Sequence, residues 1–378
     1  MAGKLVVAAV CARPYVAMAK AAGYDVLALD IFADTDTASL AQQVFRLPYV
    51  DGGFEPAGFE AALSAIAGQH EVQGLVYGSG FERNSHLLSI ASRYLPVLGN
   101  SADIVAKAKA VPNFFRLLDT LDIPYPPSTI NMPVSIGGWL RKRRGGSGGT
   151  HVCRLQAGSI HCDGDYYQQE LAGTPVSVLF AADSKHACVV GYNRQEVSAW
   201  GDLPFRYGGL VTHASLPDDC RQVLQSAAEK LTAALQLRGL NSLDAILMPE
   251  GHTFVLELNP RLTASAGLYQ PHADLMRMHL DGCRGAQKQL QVEQQATAQL
   301  VVYAESDFIV PPDWPWPEWV ADMPEADSSI MAGDPVCTVW AQAGSAETAH
   351  RLALQRLQMM VAMQQAASNT DQATVCRY

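Results

Sequence analysis

Two segments of the chain gather side chains suited to phosphate and to a divalent cation. The first is RKRRGGSGG, Arg141 to Gly149. Basic side chains on a strand neutralise a polyphosphate, and backbone N–H groups in a glycine-rich turn can converge on one anion. The segment does not fit GxxxxGK[ST], and it lies between two strands, whereas a P-loop leads into a helix. Taken alone it also fits a solvated surface hairpin, because basic glycine-rich loops are common. The second segment is SLDAILMPEGHTFVLELNPR, in which Asp244 and Glu257 stand thirteen residues apart on two strands joined by a short turn. Glu257 and Asn259 are two apart, so they share one face of their strand. Two carboxylates and an amide oxygen are hard ligands. They suit Mg²⁺, with Mn²⁺ able to substitute, because Mg²⁺ takes one or two carboxylates plus phosphate oxygens. A solvent-facing strand edge explains Glu257 poorly, since VLELNP otherwise reads as buried.

The elements that must hold these groups can be read along the chain. KLVVAAV at 4–10 is a buried strand, the Ala-rich PYVAMAKAAG a helix stopping at Gly23, and DVLALD a second strand ending at Asp30. This strand–helix–strand order begins a parallel sheet. Helices over Phe59–Ile66 and Leu87–Tyr94 and a strand at GLVY complete a small doubly wound domain over residues 1–100. The first strand runs into VCARPY and lacks GxGxxG, so a dinucleotide role for this domain has little support. Arg13, after the first strand, and Glu82 and Arg83, in the turn GSGFERN, stand at strand ends, where open α/β sheets bind ligands. They are candidate substrate contacts; solvated turns are the alternative. Further on come a helix through Phe114, Leu117, Leu118 and Leu121, strands on either side of the glycine loop, two strands joined through Gly173, and an amphipathic helix at 219–236. A final helix, Glu347–Gln364, carries a stripe of Leu352, Leu354, Leu357, Met360 and Val361. Trp314, Trp316 and Trp319 anchor a Pro-rich crossover before it.

Composition narrows the function classes. With 27 Lys+Arg against 37 Asp+Glu the net charge is 27 − 37 = −10, which argues against a nucleic-acid binder. A 48% hydrophobic content is that of a globular protein. No apolar run reaches the roughly 18–20 residues of a membrane helix, and the N-terminus reads as a buried strand, not as a signal peptide. These features predict a soluble cytoplasmic protein. The eight cysteines, among them Cys376, form no CxxC pair and read as buried thiols, not as a disulfide framework. No HExxH or similar spacing supports a transition-metal site. His213, His272 and His279 read as structural.

The order of a basic glycine loop, a QEL–G hinge and an Asp–hairpin–ELNPR segment resembles the ATP-grasp superfamily. RPYVAMAKAAGYDVLALDIFADTDT and YGSGFE narrow the resemblance to predicted carboligases related to biotin carboxylase, found in methanogens and methylotrophic bacteria. The resemblance covers roughly residues 4–350. It implies α/β and α+β architecture in three parts: a Rossmann-like preATP-grasp domain at 1–100, an ATP-grasp domain of two lobes at 101–298, and a β-rich subdomain with a closing helix at 299–378. It also implies that Lys142 holds nucleotide phosphates, followed by a flexible lid of Gly145, Gly146, Ser147, Gly148 and Gly149. Lys109 or Lys107 resembles the earlier phosphate lysine. Gln168, Gln169, Glu170 and Leu171 resemble the hinge, whose backbone at Glu170 and Leu171 binds adenine. Asp244, Glu257 and Asn259 match the Mg²⁺ ligands, and Arg261 the arginine after them. Pro175 stands where many relatives carry a ribose-binding acid.

The function implied is an ATP-dependent carboxylate–amine or carboxylate–thiol ligase working through an acylphosphate, with Lys142 and Arg261 on the transferring group. Its partners are small-molecule acids and amines, with neither nucleic acid nor membrane, and a homodimer is compatible with it. Assembly of a methanopterin- or methanofuran-type C1 cofactor is the implied setting. The rival class is a nucleotide-binding sensor or scaffold that does not turn over. An intact set of metal ligands speaks against that rival, because a degenerate site usually loses one.

Overall fold

The computed structural model describes residues 3–286, 292–293 and 295–375, with side chains up to residue 367. Cys376 lies outside the described residues. The chain is a mixed α/β protein. Its N-terminal sheet is parallel, in the order Gln43–Arg46, Asp25–Asp30, Lys4–Ala8, Leu75–Tyr77. The unbroken apolar run of the first strand follows from having both faces covered. Leu5 and Val7 pack with Val16 and Met18 on one side, and Val6 and Ala8 pack with Phe59 and Leu63 on the other. The helix expected at Phe59–Ile66 spans Pro56–Gln69, because the Glu55 carboxylate caps it by accepting from the N–H groups of Ala57 (3.0 Å) and Gly58 (2.6 Å). The one expected at Leu87–Tyr94 spans His86–Ala91.

Next come the helices Ala102–Lys109 and Asn113–Thr120 and a small antiparallel sheet in the order Ser128–Thr129, Asp165–Gln169, Trp139–Arg143, Val152–Arg154. A sheet of eight strands follows: Thr253–Asn259, Arg238–Leu247, Thr174–Asp183, Ala187–Val197, Tyr207–Thr212, Ala296–Tyr303, Pro335–Ala343 and Val320–Ala321, in spatial order. Phe180, Leu243 and Val255 pack one face of it against the helix Asp218–Leu235 through Leu224, Ala228 and Leu231. Ala296–Tyr303 pairs with Tyr207–Thr212, so the C-terminal strands continue this sheet. The last helix, Ala346–Val375, buries Ala349, Ala353 and Met360; Leu354, placed on its apolar stripe by spacing, is exposed. Trp314 is buried and stacks on Trp316 with ring centroids 5.4 Å apart.

Two contacts register the N-terminal sheet on the large one. The Tyr77 hydroxyl reaches the carbonyls of Asn100 (2.8 Å) and Pro260 (3.1 Å). The His279 ring accepts from the Leu240 N–H at 3.0 Å and faces the Leu98 carbonyl at 3.0 Å. Burial pushes His279 down to about 4. Among the described residues no helix is long and apolar enough to cross a membrane. The seven described cysteines are all free thiols, but only Cys220 and Cys337 are buried, so the expectation of buried thiols holds for those two alone.

Candidate active site

Asp244 and Glu257 face each other on paired antiparallel strands, and Asn259 lies opposite Ser242. The pairing slips just beyond Asp244, where Ala245 meets Val255 and Leu256 is the extra residue. Strict alternation would send Leu256 into the core with Leu258. The bulge instead lets Leu256 and Glu257 both line a cavity of about 800 Å³, while Val255 and Leu258 remain in the core. Asn259 donates from Nδ2 to Asp244 Oδ2 at 2.8 Å, and Gln195 donates to Asp244 Oδ1 at 2.9 Å.

Three cations close around these oxygens. The Lys109 ammonium forms a short ion pair with Glu257 and lies 3.3 Å from Asn259 Oδ1. Lys107, its rival in the sequence, is exposed and pairs with Asp103 one turn back at 2.7 Å. Helical spacing decides between them: positions two apart cannot face the same way. Lys142 is buried, donates to Gln168 Oε1 at 3.0 Å and lies over the Tyr166 ring, 5.8 Å from its centroid. Gln168 is oriented in turn by donating to Ser128 Oγ at 3.1 Å. Arg261 pairs with buried Glu82 and reaches Asn259 Oδ1 at 3.4 Å.

Electrostatics follows from this packing. Burial and then the Glu257 charge push Asp244 up to about 6. Partial burial pushes Glu257 up too, yet Lys109, His151 and Lys142 hold it down to about 2. Burial lowers Lys142, and the Glu257 and Asp244 charges offset part of that. The donor set fits a hard divalent cation. The Lys109 ammonium already sits where Glu257 and Asn259 oxygens converge, so these ligands are arranged to accept positive charge.

The glycine loop is docked, not splayed as a surface hairpin. Tyr207 donates its N–H to the Gly148 carbonyl at 2.9 Å. Gly149 has φ +73°, and a Cβ there would stand 1.8 Å from the Phe205 carbonyl oxygen. Gly145, with φ +69°, is pressed on Arg83, where a Cβ would come within 2.6 Å of its Cα. Ser147, Gly148 and Gly149 line the cavity; Gly145 and Gly146 face a smaller recess behind it. At the hinge, Gln168, Gln169, Glu170 and Leu171 all line the cavity. The Glu170 N–H is committed to the Gly138 carbonyl at 2.8 Å and its carboxylate to Arg154 at 2.8 Å. The Leu171 N–H has no hydrogen-bond partner among the described residues.

The three residues expected to hold substrate have partners of their own. Arg13 is already paired with Asp322 (2.5 Å) and Asp36 (3.4 Å). Glu82 accepts from the N–H groups of Gly80 (2.9 Å) and Phe81 (3.0 Å) besides holding Arg261, so it orients a cation. Arg83 stands 3.6 Å from exposed Asp51. None of the three lines the cavity. His151 was missed by sequence reasoning. It lines the cavity, Gly146 leaves room for its ring, and its Nδ1 is buried without a partner. Burial lowers its pKa while Glu257 opposes that. Its position directly after GGSGGT was the available signal.

Residues 113–265 match the family model of the ATP-grasp domain. No curated protein matches the chain in sequence. Among solved structures, the biotin carboxylase of Campylobacter jejuni superposes with a TM-score of 0.71 at 14% identity, over 93% of this chain and 91% of that one. The N5-carboxyaminoimidazole ribonucleotide synthetase of Thermotoga maritima gives 0.65 at 13% identity, over 94% and 98%. The L-amino acid ligase of Bacillus licheniformis gives 0.67 at 12% identity, over 94% and 97%.

Proposed function

We propose that this chain, which carries an ATP-grasp domain in an ATP-grasp fold, is an ATP- and Mg²⁺-dependent ligase joining a small carboxylic acid to an amine. One observation carries the reading: Asp244, Glu257 and Asn259 converge with Lys109, Lys142 and Arg261 at one end of a cavity that the hinge and the glycine loop also line. The structural neighbours include ligases by name, and a neighbouring synthetase was solved with ADP. The name of one of them, an L-amino acid ligase, supports the amine over a thiol as nucleophile.

In this reading Leu171 and the Glu170 carbonyl receive adenine, and Ser147 to Gly149 lie over the phosphates. Asp244, Glu257 and Asn259 would hold Mg²⁺, or Mn²⁺ in its place, which supplies positive charge to the phosphate oxygens. Lys142 and Arg261 hold the γ-phosphoryl group. Lys109, which pairs with Glu257 in this structure, would neutralise a phosphate oxygen in place of Glu257. A carboxylate oxygen of the acid attacks the γ-phosphorus and ADP leaves, giving an acylphosphate. The amine nitrogen then attacks the acyl carbon and phosphate departs. Catalysis is by positioning and charge neutralisation. The finer setting, a cytoplasmic step in building a methanopterin- or methanofuran-type C1 cofactor, is supported by the sequence resemblance alone.

The test is a screen of carboxylic acids with MgATP and hydroxylamine, which traps any acylphosphate as a hydroxamate whatever the natural amine. Hydroxamate formed together with ADP, and dependent on Mg²⁺, is expected. Tight MgATP binding with no hydroxamate for any acid would favour the non-catalytic nucleotide sensor.

A further inference from the structure

The same cavity extends to the C-terminal ends of the first two N-terminal strands, where Cys11, Phe32, Asp34 and Asp322 line it. Four carboxylates meet here, Asp30, Asp34, Asp36 and Asp322, with Arg13 as the cation among them. Three of the four are satisfied. Asp30 accepts from the N–H groups of Ala12 (2.6 Å), Phe32 (2.7 Å) and Ala33 (2.8 Å). Asp36 accepts from the N–H groups of Asp322 (2.9 Å) and Met323 (3.3 Å) and stands beside Arg13. Asp322 takes Arg13, the Thr338 hydroxyl (2.6 Å) and the Cys11 thiol (3.1 Å).

Asp34 is different. It is only 8% exposed, and among the described residues no hydrogen bond or ion pair reaches its carboxylate. It precedes the helix Thr35–Leu40 as N-cap, yet its side chain does not cap that helix and lines the cavity instead. Burial, then the charges of Asp322, Asp30 and Asp36, push it up to about 8, and Arg13 offsets only part of this. A buried carboxylate with no donor is costly, and the missing partner is a group that brings both N–H and positive charge.

We propose that this end of the cavity binds the ammonium form of the amine substrate, with Asp34 as its direct carboxylate partner and as acceptor of the proton lost before attack. The proposal rests on the ligase reading and names the class of its second substrate: a primary amine on a short apolar stem, which Pro14, Phe32 and Val336 would flank. The ammonium gives one proton to Asp34. The free amine attacks the acyl carbon, and the departing phosphate takes the electron pair of the broken C–O bond and the second proton.

A metal ion fits this end less well. Ligand atoms of Cys11, Asp34 and Asp322 do lie within 4.8 Å of one another. However, burial keeps Cys11 a thiol that donates to Asp322, and Asp322 is saturated by Arg13 and Thr338. That leaves one free carboxylate, which is no chelate. An anionic substrate would meet excess negative charge, because Arg13 is already committed.

The experiment titrates butylamine, with 1-butanol and butyrate as neutral and anionic matches, into the full chain by calorimetry, with and without MgADP. Butylamine is expected to bind at least about tenfold more tightly than either match and to release protons at pH 7, seen as a dependence of the heat on the buffer's ionisation enthalpy. Asp34→Asn should weaken butylamine by about tenfold or more and leave MgADP affinity unchanged. Butyrate binding more tightly than butylamine, butylamine affinity equal in wild type and Asp34→Asn, or no saturable butylamine binding would each overturn the proposal. So would Zn²⁺ binding that Asp34→Asn abolishes while butylamine is ignored. Should Asp34→Asn fail to fold, the wild-type order of the three probes and the proton release decide alone. Failure to bind MgADP, with Asp34-dependent butylamine binding intact, would remove the ligase reading and keep the amine subsite.

Discussion

The two ends of the cavity handle charge in opposite ways. At the hairpin end Asp244, Glu257 and Glu82 are met by Lys109, Lys142 and Arg261, three charges against three. At the N-terminal end four carboxylates face Arg13, and among the described residues Asp34 is left with no partner. A balanced site is stable when empty and must exchange partners to bind an ion with its counter-charge, as Lys109 would do on leaving Glu257. An unbalanced site is costly when empty and becomes balanced by what it binds. The contrast teaches where to look for a missing ligand: at the buried group without a donor, not at the densest cluster of charge.

The largest expected effect breaks the balanced end. Glu257→Gln keeps the size of the side chain but removes one cation-binding charge, and hydroxamate formation should fall by about 10²–10³-fold with the circular dichroism unchanged. A variant retaining most of the rate would remove Glu257 from the machinery.

Stability should then respond with opposite sign at the two ends. Glu82→Gln leaves buried Arg261 without its counter-charge and should cost about 3–4 kcal/mol in urea unfolding. Asp34→Asn should instead stabilise. The Asp34 carboxyl titrates near 8 in the folded chain against an ordinary value of 3.8, so above pH 4 the unfolded chain releases its proton more readily and the wild type is penalised. The gain should be nearly absent at pH 4 and grow to about 5 kcal/mol toward pH 8. Two variants that shift the unfolding midpoint in the same direction would contradict the contrast.

His279 keeps the two ends in register. Its ring is neutral in the folded chain down to about 4, whereas it protonates near 6.5 when unfolded. The unfolded state therefore binds the extra proton between those values, and stability falls as pH drops from 6.5 toward 4, by up to about 3 kcal/mol. Subtracting the urea midpoints of His279→Gln from those of wild type across this range isolates the effect, and parallel curves would refute it. The smallest effect is Lys107→Ala, expected to change stability by less than about 0.5 kcal/mol and to leave MgADP binding intact, because its pair with Asp103 is exposed. Lys109→Ala should weaken MgADP binding; equal affinities would show that the two lysines are interchangeable.

Much of this was readable from the residues because local periodicity is a local property. The run KLVVAAV predicts a strand covered on both faces, and the spacing of Glu257 and Asn259 predicts a shared face. What the spacing hides is the bulge at Leu256, which no residue type announces. Leu354 falls on an apolar stripe by period, whereas the face that packs runs through Ala349, Ala353 and Met360; small residues let a helix lie close to a sheet and carry a weak hydrophobic signal.

The sequence by itself determined the chemistry available: hard oxygen ligands on a hairpin, a basic strand entering a glycine loop, and an order of segments resembling the ATP-grasp superfamily. Tertiary structure alone decided which of those groups act together. It set Lys109 against Glu257 and left Lys107 exposed, paired Glu82 with Arg261, and brought Asp322 to Arg13 across 309 residues of chain. It also left Asp34 buried and unanswered. The reason is that a side chain's charge is fixed by its type, but the free energy of that charge is fixed by its neighbours and its distance from water, and those are assembled only when distant segments meet.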